Sequence, residues 1–402
     1  MLTIVIPALN EEQSIVSTCR RCCAEAPRIR AATGETVELI VVDDGSTDRT
    51  AELARGVEGV RVVSHGRNRG YGAALLTGFR AGTGDLVGFL DADGTCDPRF
   101  FVPMIQAVQG GASIALGNRM GPGSGMPRVR RLGNRFFAAL IRLLSGTHVA
   151  DSASGMRVLT RDALGVLEPL PDGLHFTPAM SCRAALDPRL RIVEVPMTYA
   201  EREGRSKLSV VRDGWRFLRV IVETALSYRP LLILGSIGAL QLAVAVLYAL
   251  GPLRDYLGTG HLAPDRVYRM LTVLVLFGGG LAFLYAGVLG DLAQELVNPP
   301  RPRGEGLRRR LRAALFGHPV AVAALAVAIA VGMNARALWE YATTGHIAVD
   351  WATIAFGGVL SLAAVQLLAF AFVQRMLIVL GQRIVPARVE RRVAFPHAPT
   401  GT

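Results

Sequence analysis

From about residue 230 onward the sequence carries four long apolar runs, 231–251, 270–290, 319–335 and 351–374, and none contains Asp, Glu, Lys or Arg. Inside a hydrocarbon layer no water is available to satisfy backbone N–H and C=O groups, so a segment that crosses it is a helix or part of a closed barrel. A helix needs about 20 apolar residues to span ~30 Å. Three runs reach that length; the third, Ala-rich and 17 residues long, reads as a span with a buried or re-entrant helix as the alternative. The composition agrees: 51% of the 402 residues are hydrophobic, and the formal charge is +12. High hydrophobicity with high positive charge points to a membrane protein with basic flanks and away from a soluble nucleic-acid binder.

Arginine placement predicts the sidedness. The 292–318 segment carries six arginines and the tail from Arg375 five, against two in 252–268 and one in 336–350. The positive-inside rule then puts both ends of the chain and the middle loop in the cytoplasm. The expectation is a multi-pass protein of a bacterial or archaeal plasma membrane whose first 230 residues are cytosolic. No charged n-region followed by an apolar stretch opens the chain, so no signal peptide is expected. Five cysteines, Cys19, Cys22, Cys23, Cys96 and Cys182, show no paired framework and read as reduced structural thiols.

Before the first run, Leu208, Val211, Trp215, Leu218, Val222 and Ala225 recur at helical spacing, while Arg212, Arg216, Arg219 and Glu223 mark another face. That pattern predicts an amphipathic helix over 208–228, lying in the headgroup layer. A second helical stretch, 135–144, carries Phe136, Phe137, Leu140, Ile141 and Leu144 on one stripe and fits a core helix equally well.

The N-terminal half alternates strand-like runs (2–7, 37–43, 60–64, 85–90, 113–117, 191–196) with helical stretches such as 11–26 and 47–55. Such alternation predicts an α/β sheet with ligands at the carboxyl ends of its strands. The most telling end is Asp91-Ala92-Asp93, which closes the apolar run Leu86–Leu90. Side chains alternate along a strand, so Asp91 and Asp93 project to one side. Two hard oxygen ligands suit Mg²⁺ or Mn²⁺, which leave substrate phosphates and water to complete the octahedron. Asn10 and Asp44, at two other strand ends, could simply cap the helices that follow.

Taken together, Thr3–Glu12, Val41–Asp48, Asn68–Ala73 and Asp91–Gly94 resemble the family 2 glycosyltransferases of the GT-A fold. Asp151-x-x-x-Gly155-x-Arg157 and the stretch Glu194–Lys207 resemble the polyprenyl-phosphate glycosyltransferases of the dolichol-phosphate mannose synthase type. The match covers about residues 2–230. The resemblance implies a GT-A nucleotide-diphospho-sugar transferase domain (1–204), a juxtamembrane helix (205–230), a four-helix transmembrane region (231–381) and a basic tail (382–402).

It also implies roles. Pro7, Leu9, Glu11, Val41 and Asp43 match nucleotide-contact positions, and Arg119 matches a donor-contact arginine. Asp91 and Asp93 match the diphosphate-metal site, where Mg²⁺ or Mn²⁺ is expected, and Ala92 with Asp91 matches the nucleotide-sugar contact. Thr95 stands where such enzymes often carry Gln, so its hydroxyl or a water would replace that ligand. Asp93, Arg202 and Lys207 are the implied catalytic set, the last two in a cationic segment that closes over phosphates. Lys207 is the only lysine in the chain.

The chemistry fits a phosphate acceptor. A sugar hydroxyl needs a general base, whereas a polyprenyl phosphate oxygen is already anionic at neutral pH. No Glu-Asp pair occupies 178–180, and no Gln-x-x-Arg-Trp motif occurs. Arg128, Arg130, Arg131 and Arg135, which follow the Gly/Pro-rich 121–127, are candidates for the acceptor phosphate, with a solvated or lipid-headgroup face as the alternative. The partners expected are a GDP- or UDP-linked sugar, a polyprenyl phosphate and the bilayer, with a homo-oligomer left open. A glycolipid synthase acting on a lipid hydroxyl and a catalytically silent scaffold of the same fold are the rival readings.

Overall fold

Seven strands form one twisted sheet in the first of two units, which divide between Ala225 and Leu226. The computed structural model describes residues 1–121, 124–200, 209–260, 262, 264–297, 317–348 and 351–394. The strands are β1 (Leu2–Ala8), β2 (Val37–Asp43), β3 (Val60–Ser64), β4 (Leu86–Leu90), β5 (Ile114–Asn118), β6 (Met156–Thr160) and β7 (Ile192–Pro196), in the order β3-β2-β1-β4-β6-β5-β7. All neighbours are parallel except β6, which runs antiparallel to both β4 and β5.

Helices cover both faces, so the central strands read as unbroken apolar runs rather than as alternations. β1 is buried from Leu2 to Ala8. Leu2, Ile4 and Ile6 pack on one face with Ile15, Cys19 and Cys22 of α1 (Ile15–Thr33) and Phe101, Met104 and Ile105 of α4 (Phe101–Gln109). Val5 faces the other way, onto Leu75 and Phe79 of α3 (Tyr71–Ala81) and Phe176, Ala179 and Met180 of α7 (Phe176–Leu186). All five cysteines are free, and burial pushes the Cys19 thiol up to about 12, which leaves it inert.

Several elements differ from the sequence-based expectation. Strand β6 was not anticipated: Met156-Arg-Val-Leu-Thr160 has a charged residue at its second position, and the pattern alone gives it no period. Helix α1 starts later and ends later than 11–26, because residues 11–14 form turns tied to the β2 loop. The remaining helices of this unit are α2 (Thr50–Arg55), α5 (Arg128–Ser145), α6 (Arg161–Leu167) and most of α8 (Val210–Tyr228).

Helix α8 buries Asp213, Phe217, Ile221 and Ala225 and leaves Val211 84% and Trp215 68% exposed. The apolar stripe read from the sequence is thus split: Ala225 packs inward, whereas Val211 and Trp215 stay outside. Helix α5 behaves similarly: Ile141 and Leu144 are buried, whereas Val129, Leu132, Phe136 and Leu143 stand exposed.

In the second unit, four helices are long and apolar enough to cross a membrane: α9 (Pro230–Thr259), α10 (Val267–Val297), α11 (Pro319–Thr344) and α12 (Trp351–Ala394). The Ala-rich run at 319–335 is thus part of a 26-residue helix. Between α9 and α10 the backbones meet at small residues: a Cβ on Gly238 would lie 2.6 Å from the Gly280 carbonyl oxygen. Small residues are what allow such close approach where no hydrophobic effect drives association. Gln366 Nε2 of α12 donates to the Gly278 carbonyl at 3.2 Å, and Tyr285 stacks on Phe370 with centroids 4.9 Å apart.

Candidate active site

Because β1, β2 and β4 run parallel, their carboxyl ends open on one edge of the sheet, and a cavity of about 500 Å³ lies there. β6 runs the other way, with Leu90 opposite Met156, so the segment that enters β6 arrives beside the exit of β4. This brings Asp151–Gly155 to the Asp91-Ala92-Asp93 turn. A Cβ at Gly155 would overlap the Asp91 carboxylate, so only glycine lets that carboxylate sit where it does.

The ends of β1 and β2 are laced together. Asn10 has a positive φ of 49°, and its Oδ1 accepts from the Thr47 N–H at 2.8 Å while its own N–H donates to Ser46 Oγ at 2.9 Å. Asp43 Oδ1 accepts from the Ser46 N–H at 3.0 Å, closing the turn. Asp44 is buried and carries heavier traffic: Oδ1 accepts from the Arg69 N–H at 2.9 Å, Oδ2 from the Gly70 N–H at 2.8 Å, and His65 Nδ1 lies 2.7 Å from Oδ1. It fixes the loop that delivers Tyr71 at the start of α3.

Tyr71 donates its hydroxyl to Asp91 Oδ1 at 2.8 Å. Burial first, and then the adjacent Asp91, push the Tyr71 phenol well above its ordinary range, so it is a donor at neutral pH. Asp93 is held by its neighbour: Thr95 donates to Asp93 Oδ1 through Oγ1 at 2.6 Å and through its N–H at 3.2 Å.

Behind this edge lies a buried ion pair. Arg119 donates from Nε and Nη2 to Asp151 at 2.7 and 2.9 Å, and its N–H adds a third bond at 3.0 Å. Burial works against both charges, yet their mutual attraction and hydrogen bonds outweigh it, holding the Asp151 carboxyl low and the Arg119 guanidinium high. Asn134 of α5 donates to Asp151 Oδ1 at 2.9 Å, and Glu194 of β7 accepts from the Ala150 and Asp151 N–H groups. Arg157, fully buried, donates to the Ser152, Ser154 and Thr177 carbonyls. Burial lowers its pKa to about 10.

Of the residues singled out from the sequence, Pro7, Leu9, Glu11, Asp91, Ala92, Asp93 and Arg119 line the cavity. Val41 and Asp43 lie buried behind the wall, and Thr95 reaches the site through Asp93. Arg128 and Arg135 are exposed, and Arg131 donates to the Ser124 carbonyl at 2.9 Å. Arg202 and Lys207 lie outside the described residues.

The family model for glycosyl transferase family 2 matches residues 3–167. An undecaprenyl-phosphate 4-deoxy-4-formamido-L-arabinose transferase from Edwardsiella ictaluri is 30% identical over 310 residues, covering 75% of this chain and 91% of that protein. The chain belongs to glycosyl transferase family 2. A dolichyl-phosphate hexose transferase from Haloferax volcanii is 32% identical over 232 residues, 57% of this chain and 95% of that protein. The low-salt glycan biosynthesis hexosyltransferase Agl6 of the same organism is 34% identical over 252 residues, 61% of this chain and 59% of that protein. Among solved structures, glucosyl-3-phosphoglycerate synthase from Mycobacterium tuberculosis with Mn²⁺, UDP and glucosyl-3-phosphoglycerate matches 57% of this chain and 79% of its own at a TM-score of 0.45 and 27% identity.

This family 2 glycosyltransferase therefore has a mixed α/β GT-A domain followed by four apolar helices. Its cavity includes Tyr71, which the Asn68–Ala73 motif contains without assigning it a role. Of the arginines in the 128–135 run, Arg130 lines the cavity, and Arg216 of α8 lines it too. Helical phase was the missed signal: on α5, Arg130, Gly133, Asn134 and Phe137 share one face, and that face lines the cavity.

Proposed function

We propose that the enzyme transfers a hexose from a nucleotide-diphosphate sugar to a polyprenyl phosphate, with inversion at the anomeric carbon. The observation that carries this reading is the two-sided lining of one cavity. The strand ends supply Glu11, Asp91 and Asp93, whereas α5, the turn before α7, and α8 supply Val129, Phe137, Leu174 and Phe217 with two cations, Arg130 and Arg216. Among the described residues, this second group of elements lines the cavity with no Asp or Glu. An acceptor with an apolar body and an anionic head suits such a lining; an acceptor hydroxyl would need a base there.

In the reaction a phosphate oxygen of the acceptor forms a bond to the anomeric carbon, and the bond from that carbon to the donor diphosphate breaks, releasing a nucleoside diphosphate. No proton has to be removed from the acceptor. The protein's work is to hold two anions together and to stabilise the departing one. In this reading Arg130 and Arg216, the latter donating to Asp213 Oδ1 at 3.3 Å, meet the acceptor phosphate, and Arg119 is held in the wall by Asp151. Asp91 and Asp93 form a hard-oxygen pair that fits Mg²⁺ or Mn²⁺. When bound, such an ion supplies Lewis-acid stabilisation of charge on the leaving diphosphate.

The names of the relatives support the acceptor class, since one acts on undecaprenyl phosphate and another on dolichyl phosphate. The arginine-rich 292–318 segment and tail support a cytoplasmic catalytic unit by the positive-inside rule. Exposed Val211 and Trp215 on α8, interleaved with Arg212 and Arg219, suit the headgroup layer.

Steady-state kinetics on single arginine variants test the reading. Arg130→Gln should raise the KM for polyprenyl phosphate about tenfold with the donor KM unchanged, while Arg128→Gln, at an exposed position, should change neither. A donor KM that rises while the acceptor KM stays put would move Arg130 to the donor side and remove the acceptor assignment.

A further inference from the structure

Two aspartates at different strand ends, Asp44 after β2 and Asp91 after β4, are joined through one side chain. Asp44 accepts from the Arg69 and Gly70 N–H groups at 2.9 and 2.8 Å. The next residue is Tyr71, whose hydroxyl donates to Asp91 Oδ1 at 2.8 Å. The first turn of α3 is pinned from the other side as well, since the Ala73 N–H donates to the Asp172 carbonyl at 3.0 Å. Gly72 leaves no room for a Cβ against Pro171 and Phe176. The tyrosine therefore stands on a turn that has little freedom to shift.

We propose that Tyr71 is a positioning residue for Asp91: with Gly155 behind the carboxylate, it fixes the orientation in which Asp91 meets a divalent cation and the donor diphosphate. The proposal rests on the reading of Asp91 and Asp93 as the metal-binding pair. It goes beyond that reading in assigning a task to a residue outside the acidic motif. Without the hydroxyl, the Asp91 carboxylate loses one of the contacts that set its terminal torsion, which is intrinsically broad. Partners that orient a metal ligand are commonly worth 10- to 100-fold in metal affinity. The arrangement also gives buried Asp44 a task beyond capping a helix: it holds the backbone on which Tyr71 stands.

The test uses the purified full-length enzyme and Mn²⁺ alone, with free Mn²⁺ read by electron paramagnetic resonance. Tyr71→Phe removes one oxygen atom and keeps the ring. It should weaken Mn²⁺ binding about tenfold, with an unchanged unfolding temperature and a kcat that falls more than the donor KM rises. Gly155→Ala, which pushes a methyl group onto Oδ2 of the same carboxylate, should weaken binding in the same direction. Asp91→Asn sets the floor. Wild-type Mn²⁺ affinity in Tyr71→Phe, with binding lost in Asp91→Asn, would overturn the positioning role and leave the metal pair standing. Absence of Mn²⁺ binding by the wild-type enzyme would overturn both.

Discussion

At the scale of single residues, the site separates groups that touch the reactants from groups that hold the wall. Asp93 belongs to the first kind: it lines the cavity and is oriented by Thr95. Asp93→Asn should lower turnover by about 10²–10³ while the protein folds normally, since an electrostatic stabiliser is lost and no core side chain is touched. Near-normal turnover at saturating Mn²⁺ would contradict the assignment. Arg119 belongs to both kinds, because its guanidinium compensates Asp151, which is fully buried. Arg119→Ala should cost about 3–5 kcal/mol of stability by leaving that carboxylate unpaired, seen as a lower midpoint in denaturant melts. The same pair sets an acid limit. Asp151 has a depressed pKa in the folded protein, so its contribution is fully present above the ordinary carboxylate value and is lost as pH falls through the folded one. Lys207 is the one lysine among 44 basic residues, and it precedes α8 in the chain. A compact ammonium serves non-coplanar oxygens of two phosphates where a guanidinium fork suits one planar partner. Lys207→Arg should therefore impair turnover more than Arg212→Gln; the reverse order would reduce Lys207 to part of a general positive field.

Elements were legible in the sequence to the extent that one physical signal dominated each. The buried parallel strands β1, β2 and β4 announce themselves as apolar runs that end in Asn or Asp, and the four spanning helices as charge-free runs. Strand β6 did not, because its second residue, Arg157, is buried by hydrogen bonds to three carbonyls that only the folded chain brings together. The face of a helix was harder to read than its existence. On α8 the apolar stripe of the sequence runs through Val211, Trp215 and Ala225, while packing chose Phe217, Ile221 and Ala225 and left Val211 and Trp215 outside. The same holds at the site: the acidic motifs and the arginine run of α5 were visible, but which of those arginines faces the cavity was not, since that depends on which way the helix is turned. Within the second unit, the meeting of Gly238 with Gly280 fixes the separation of α9 and α10. Gly280→Leu should break that contact and lower the thermal midpoint of the detergent-solubilised protein, whereas Gly332→Leu, with open space around its Cα, should leave it unchanged.

At the scale of the whole molecule, a GT-A domain is followed by four apolar helices, and the proposal assigns the chemistry to the arginine-rich side of a membrane. An engineered cysteine at Gly304 should resist an impermeant thiol reagent on intact cells and react once the membrane is opened; labelling from outside would overturn the sidedness. The central claim is the acceptor. Purified enzyme with Mn²⁺ should be incubated with radiolabelled nucleotide sugars and either a polyprenyl phosphate or a diacylglycerol, and the organic phase counted before and after mild acid. The account predicts label in the organic phase only with the polyprenyl phosphate, released by mild acid because the new bond is a glycosyl phosphate. Label transferred to diacylglycerol, stable to mild acid, with none on the polyprenyl phosphate, would contradict it.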